Sequence, residues 1–236
     1  MSETRNFAMP LLDAAQAQKH VTVNEALART DALAARQVLS RSLSVPPVSA
    51  DDGAGYIVGA SASEDWAGHD GEIALYLNGG WDFVAPWAGS SVWIVDEALE
   101  ARYIAGAWVA NQLAGSVGGA NLFVRVVEID HELDAAATST TPNIIPDKAI
   151  VVGVTGRVVA TITGATSWSL GVAGSADRYG SGYGTAVDAF AHGVTGQPQA
   201  YFGATALEIS SDGSSFTGGR IRLAVHLLEL APPSIA

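Results

Sequence analysis

The sequence predicts a mainly β protein with a short N-terminal helix, a small Trp-repeat β-hairpin module and a C-terminal β-sandwich or jelly roll. Three observations support this class. Glycine is frequent, at 26 of 236 residues, and much of the apolar content is valine, isoleucine and alanine, which suits short strands joined by tight turns. A tryptophan pattern occurs twice in the middle of the chain. Strand-like runs without an intervening helix fill the second half.

Composition excludes several classes of partner. Hydrophobic residues make up 48% of the chain and charged residues 15%, enough to bury a core. The net charge of −12 argues against nucleic acid, which requires clustered cations. No apolar run is long enough to cross a membrane, and residues 1–10 lack the features of a signal peptide. Cysteine is absent, which fits either a protein that crosses redox compartments or chance in a cytosolic chain.

Charge divides the chain into three segments. Residues 1–45 carry five basic and four acidic residues, a net charge of +1. Residues 46–120 carry one basic and ten acidic residues, a net −9, and residues 121–236 carry six and ten, a net −4. We interpret them as an N-terminal attachment or oligomerisation segment with a helix, a Trp-repeat β module and a C-terminal β domain.

The first segment contains one predicted helix. Thr22 and Glu25 have the spacing of a capping box, and good helix formers follow as far as Leu39. Pro46 and Pro47 would stop it. Because the apolar stripe of this helix is thin, we expect it to pack on the following domain or against copies of itself in an oligomer.

The second segment contains a 27-residue repeat with the shared pattern W-x7-A-x-Y-[LI]-x-G-x-W, which begins at Trp66 and again at Trp93. Each copy ends in a predicted hairpin, with turns at Asn78-Gly79 and Ala105-Gly106. The tyrosine and tryptophan on either side of each turn are expected to form a cross-strand pair. These aromatic residues predict a miniature core or, as the alternative, a sugar-stacking platform, and Trp87 lies outside the repeat register.

The third segment predicts at least six short strands. They are residues 122–130, 149–154, 157–162, 168–172, 206–210 and 221–230, with turns at Gly164, at Asp212-Gly213 and at Gly218-Gly219. Residues 174–203 are the irregular part.

No catalytic constellation has a recognisable spacing, and we expect no enzyme activity and no cofactor. His69-Asp70 and His131-Glu132 are adjacent pairs, which point to opposite faces of a strand and make poor metal sites. Paired carboxylates of a glycoside hydrolase are recognised by separation in space, and Asp177 and Asp188 would be the first candidates. Both are also typical turn residues.

The irregular stretch has the composition of a recognition loop. Sugars bind to aromatic faces, and polar side chains bond their hydroxyls. A loop over a β scaffold supplies both kinds of group, so we expect a glycan site in the C-terminal domain. The candidate ligand-binding residues are Asp177, Arg178, Tyr179, Tyr183, Asp188 and His192, with Trp168 and Trp87 as further aromatic candidates.

Residues 9–110 resemble an uncharacterised family encoded in prophage and gene transfer agent clusters. The strongest motif is the string Gln-Ala-Gln-Lys-His-Val-Thr-x-Asn-Glu-Ala-Leu at residues 16–27, and further motifs lie at 56–59, 66–69, 80–83 and 85–86. The C-terminal part is similar to a module appended to such proteins, through residues 145–150, 153–154, 161–166 and 216–219. The family is associated with head spikes and tail fibres and brings no catalytic residues.

The resemblance implies a spike or fibre protein of a phage-like particle that binds host cell-surface polysaccharide and promotes adsorption. We expect other particle proteins to bind the N-terminal segment, and a homotrimer to raise the avidity of weak sugar sites. The expected location is the particle, reached from the cytoplasm by assembly and cell lysis. The alternatives are a purely structural virion or vertex ornament without a ligand and a capsule-degrading enzyme.

Overall fold

The computed structural model describes residues 3–12 and 19–234, and these are mainly β, as the sequence predicts. The chain forms two compact units, Met1–Asn111 (unit 1) and Gln112–Ala236 (unit 2). Unit 1 contains the predicted segment 1–45 and residues 46–111 of the predicted segment 46–120, whose last nine residues belong to unit 2. The attachment role of residues 1–45 stays a prediction.

Unit 1 contains one helix and two small sheets. Three strands form one sheet in the order β2-β3-β4, and four form the other in the order β1-β5-β6-β7. The elements are α1 (Lys19–Ala35), β1 (Gln37–Val38), β2 (Gly55–Ile57), a 3-10 turn (Glu64–Trp66), β3 (Ile73–Leu77), β4 (Gly80–Val84), β5 (Ser91–Ile94), β6 (Leu99–Ile104) and β7 (Ala107–Ala110).

The helix differs from its prediction at both ends. It begins at Lys19, so Thr22 lies inside it and is not the capping residue. It ends at Ala35, and Arg36 turns the chain with a φ of +50°. Val38, predicted as helical, instead pairs with Ile94 in a parallel ladder and is almost fully buried. Burial in a sheet therefore outweighs local helix propensity at this point. The helix itself packs on β3 of the same unit.

The two repeated hairpins form in the same register. Tyr76 pairs with Trp81 and Tyr103 pairs with Trp108, with ring centroids 5.0 and 5.3 Å apart and nearly equal interplanar angles. Both central turn residues have positive φ in each hairpin, as a type I′ turn requires. The predicted cross-strand aromatic pairs are confirmed.

The repeated tryptophans have different surroundings. Trp66 is fully buried, with its ring 5.1 Å from Trp81 and 5.7 Å from Tyr56. Its counterpart Trp93 is 47% exposed. The first copy of the repeat therefore contains a miniature aromatic core, against which the half-buried Trp81 packs.

Unit 2 is one curled six-stranded antiparallel sheet around a single core. Its strand order is β12-β11-β13-β9-β8, and β10 also pairs with β13. The strands are β8 (Gln112–Gly115), β9 (Asn121–Glu132), β10 (Thr138–Ile145), β11 (Ile150–Gly171), β12 (Phe190–Ala200) and β13 (Thr205–Ala231). The predicted sandwich or jelly roll thus takes the form of a single sheet.

The glycines predicted as turns are bends inside two long strands. Gly164 lies within β11, and Gly213 and Gly219 lie within β13. All three have positive φ, and the ladder between the strands shifts register around residues 163–167. Bulges of this kind bend a strand without ending its pairing. The sequence signals are real, but they produce curvature and not hairpins.

Asp31 anchors the N-terminal residues 4–7 to helix α1. Its nearly fully buried carboxylate accepts hydrogen bonds from the Asn6 and Phe7 amides, the Thr4 hydroxyl and the Asn6 side chain, at 2.7–2.9 Å. Burial alone would raise the pKa of Asp31, but these hydrogen bonds outweigh it and hold the pKa below its ordinary value of 3.8.

Substitution of Asp31 by Asn is expected to lower the free energy of unfolding of unit 1 by about 1–3 kcal/mol at neutral pH, because an amide nitrogen then faces backbone donors. The deficit should shrink as the pH falls below about 3.8, since the wild-type carboxylate loses its stabilising charge when it is protonated. Urea unfolding followed by tryptophan fluorescence reports unit 1, which holds five of the six tryptophans. Asp96→Asn, at an exposed acid, is the control and should change stability by less than about 0.5 kcal/mol. Equal effects of both variants would contradict the anchoring role.

Candidate functional site

The predicted Tyr-Gly loop belongs to unit 2 and forms backbone hydrogen bonds with the C-terminal part of β11. Trp168 and Tyr183 exchange backbone hydrogen bonds of 3.0 and 3.1 Å, and the Tyr179 amide donates to Leu170 at 2.8 Å. Two of the predicted ligand residues, Trp168 and Tyr179, are fully buried in the core. Their prediction as ligand contacts is wrong, because neither presents a ring face to solvent.

Internal partners satisfy the polar atoms of these aromatics. The hydroxyls of Tyr179 and Tyr201 lie 2.6 Å apart, and burial, followed by this hydrogen bond, raises the pKa of Tyr179. The Trp168 indole donates to the Gly184 carbonyl at 2.8 Å. Tyr183 is half-buried, donates its hydroxyl to the Tyr179 carbonyl at 2.5 Å, and has a pKa raised by burial. The tyrosines of this loop therefore close the core.

The remaining predicted residues are exposed. Asp177 and Arg178 lie at the outer turn of the loop, and Trp87 is 61% exposed between β4 and β5 of unit 1. Asp188, with a φ of +70°, lies 3.7 Å from the Arg157 guanidinium. His192 projects outward from β12. Asp188 and His192 thus border the same part of the sheet, whereas Trp87 belongs to the other unit.

The outer face of the unit 2 sheet has a depression of about 460 Å3, which we call the outer-face patch. Strand register places Phe190 beside Arg157 and Arg222 in one row, and His192 beside Thr155 in the next. Phe190 is 63% exposed. The patch comprises Glu128, Thr155, Gly156, Arg157, Phe190, Ala191, His192, Arg222 and Ala224.

Ion pairs hold the two arginines of the patch in place. Arg222 makes a two-pronged contact with Asp130, at 2.7 and 2.9 Å, and lies 3.8 Å from Glu128. The Arg222 hydrogen bond lowers the pKa of Asp130, and the same contact raises the pKa of Arg222. The result is an exposed aromatic ring surrounded by oriented donors and acceptors with nearly balanced charge.

Phe190, Arg157 and Arg222 are functional candidates that sequence reasoning missed. Residues 190–194 alternate between exposed and buried positions, which is the signature of a half-buried strand. The glycines and proline around this stretch suggested an irregular segment. A search for alternation at Phe190, His192 and Val194 would have found the strand and its exposed ring.

A buried Ser-His-Asp set also lies in unit 2. His131 Nε2 is 2.8 Å from the Ser139 hydroxyl, which lies 3.1 Å from an Asp134 carboxylate oxygen. Ser139 is fully buried and also accepts the Asp134 amide, and burial lowers the pKa of His131. An inaccessible hydroxyl cannot attack a substrate, so this set is structural.

Residues 3–12 and 19–234 contain neither a cluster of metal-ligating side chains nor a helix that could span a membrane. Within them no group of three His, Cys, Asp or Glu side chains could hold a metal ion. No helix there is long and apolar enough to cross a membrane.

Comparison with known proteins yields one family match. Residues 23–109, within unit 1, match the family model described as "Protein of unknown function (DUF2793)". No curated protein matches the chain.

Two solved structures are similar to parts of the chain. The "Cyanophage Pam1 capsid asymmetric unit" is 26% identical and covers 50% of this chain and 91% of its own, with a TM-score of 0.36. The "Acidic stable capsid structure of Helicobacter pylori bacteriophage KHP30" is 14% identical and covers 48% and 96%, with a TM-score of 0.35. With TM-scores this low, neither match assigns a fold or a function to the chain.

Gly193 tests how closely the Tyr-Gly loop packs on the sheet. A methyl group there would collide with the Tyr179 carbonyl and lie 2.6 Å from its Cβ, whereas one at Gly196 of the same strand would meet open space. Gly193→Ala is therefore expected to lower the free energy of unfolding of unit 2 by about 1–3 kcal/mol, and Gly196→Ala to change it by less than about 0.5 kcal/mol. Peptide-resolved hydrogen exchange of β11 and β12 measures both. A loop that lifts off freely would make the two variants equivalent.

Proposed function

We propose that this protein is a spike or fibre component of a phage-like particle, encoded by a prophage or gene transfer agent, and that it binds host cell-surface polysaccharide. The outer-face patch of unit 2 carries the binding part of the proposal. The resemblance of residues 9–110 to prophage and gene transfer agent proteins supports the particle part.

The patch has the chemistry that sugar recognition requires. The exposed face of Phe190 can stack on the C–H surface of a pyranose ring. Arg157, Arg222 and His192 can donate hydrogen bonds to hydroxyl groups, and Glu128 can accept them. Since the arginines are paired with carboxylates, the patch favours a neutral or weakly charged sugar over a highly charged one.

A shallow site of this size binds a single sugar weakly. Several copies on one particle would turn weak sites into stable adsorption, and we propose a homotrimer as the repeating unit. The N-terminal segment would attach each copy to other particle proteins. Binding alone accounts for adsorption, so the proposal includes no catalytic step.

A purely structural role is the second candidate. Val124, Val126 and Val194 are exposed on the same sheet face and would suit packing against another particle protein. The two roles predict different adsorption by particles that lack unit 2. Particles that lack unit 2, residues 112–236, should adsorb normally if unit 2 is an ornament and poorly if it binds the host.

Phe190→Ala is expected to weaken binding to host polysaccharide about tenfold, because the stacking face is lost. Phe202→Ala is the matched control, since Phe202 is 91% exposed in the same unit but does not line the patch, and it should bind normally. Binding of the purified chain to extracted polysaccharide can be measured by biolayer interferometry.

Equal affinities of the two variants would remove the patch from the proposal, and absence of binding by the wild-type chain would remove the receptor role. Release of reducing ends or acetate during the same incubation would instead indicate a polysaccharide-degrading enzyme.

A further inference from the structure

Unit 1 contains a groove of about 620 Å3 beside the first repeated hairpin. It is lined by the aromatic residues Tyr76, Trp81 and Phe83 and by residues 45–50, which include Pro46 and Pro47. Its walls thus combine three aromatic rings and two prolines with small, aliphatic and acidic residues.

The aromatic side of the groove is rigid. Trp81 packs edge-on against Tyr76, at 5.0 Å, and against the buried Trp66, at 5.1 Å. Phe83 stacks flat on His69, with ring centroids 3.6 Å apart. Because each ring already has its partner, a ligand would meet a preformed surface and would lose little free energy in ordering it.

The charged residues that line the groove are all acidic. Glu64 and Asp65 are exposed at its edge, and no lysine or arginine lines it. Within the described ranges neither carboxylate forms a salt bridge, whereas Asp51, Asp82, Glu97 and Glu100 of the same unit each pair with an arginine. Two unneutralised carboxylates beside aromatic faces favour a cationic occupant and repel an anionic one.

We propose that this groove binds a proline-rich segment of a partner protein that carries arginine or lysine. A polyproline II helix is preformed, has three residues per turn and docks its ridges between aromatic rings. Its cationic side chains would reach Glu64 and Asp65 while its prolines pack on Tyr76 and Trp81. The groove is a protein-docking site, separate from the sugar-binding patch proposed for unit 2.

The direct test is the binding of labelled synthetic peptides to the full chain, measured by fluorescence anisotropy. A peptide of repeated Arg-Pro-Pro should bind. A peptide of repeated Glu-Pro-Pro has the same backbone preference and opposite charge, and a peptide of repeated Arg-Gly-Ser has the same charge and a flexible backbone. Both should bind at least about tenfold more weakly.

Charge variants test whether the peptide binds in the groove. The double variant Glu64→Gln, Asp65→Asn should bind the Arg-Pro-Pro peptide about tenfold more weakly. The double variant Asp96→Asn, Glu100→Gln removes the same charge from exposed positions outside the groove and should bind normally. All four positions are exposed, so neither variant is expected to disturb the fold.

Three results would overturn the proposal: absence of Arg-Pro-Pro binding, equal binding of Arg-Gly-Ser, which would indicate charge attraction alone, or equal losses in the two double variants. Phe190→Ala in unit 2 should leave peptide binding unchanged, so the outcome is separable from that of the polysaccharide experiment.

Discussion

The hydrogen bonding of β13 is the constraint on which unit 2 depends. This strand pairs with β11 along most of its length, with β10 through residues 205–210 and with β9 through residues 220–231. Its side chains alternate strictly near the C-terminal end, with Ile221, Leu223 and Val225 in the core and Arg222 on the outer face. A slip of one residue would exchange the two sets, so the core and the outer-face patch are specified by the same register.

Local sequence signals predicted the features whose partners lie close in the chain. The hairpins of unit 1 followed from Asn78-Gly79 and Ala105-Gly106, because a two-residue turn sets the register of the strands beside it. Local signals did not predict where α1 ends. Val38 sits among good helix formers, and only its distant partner Ile94 makes it a strand. Propensity contains no information about such a partner.

The candidate site was harder to predict because the same residue types serve cores and ligands. Tyr179 and Trp168 have the composition of a sugar site, yet they fill the interior of unit 2. Nothing in their local sequence indicates that Tyr201 will pair with the Tyr179 hydroxyl. Phe190, by contrast, lies outside because it alternates with the buried Ala191. Alternation along a strand was the more informative signal, and aromatic content was the less informative one.

The two units offer surfaces of different electrostatic character. The groove of unit 1 has unneutralised carboxylates beside aromatic rings, whereas the arginines of the outer-face patch are matched by acidic residues. A partner suited to one surface is therefore poorly suited to the other. The proposals assign a protein ligand to the first and a sugar ligand to the second on these grounds.

The position of β13 also bears on the order in which the chain folds during synthesis. The hairpins of unit 1 join residues only a few positions apart, so they can form as soon as they leave the ribosome. In unit 2, Asn121 pairs with Ala231, and β9, β10 and β11 all wait for β13 to be translated. Until then the edges that will pair with β13 stay open to other nascent chains. We therefore expect unit 2, more than unit 1, to be open to misassembly until β13 has been synthesised.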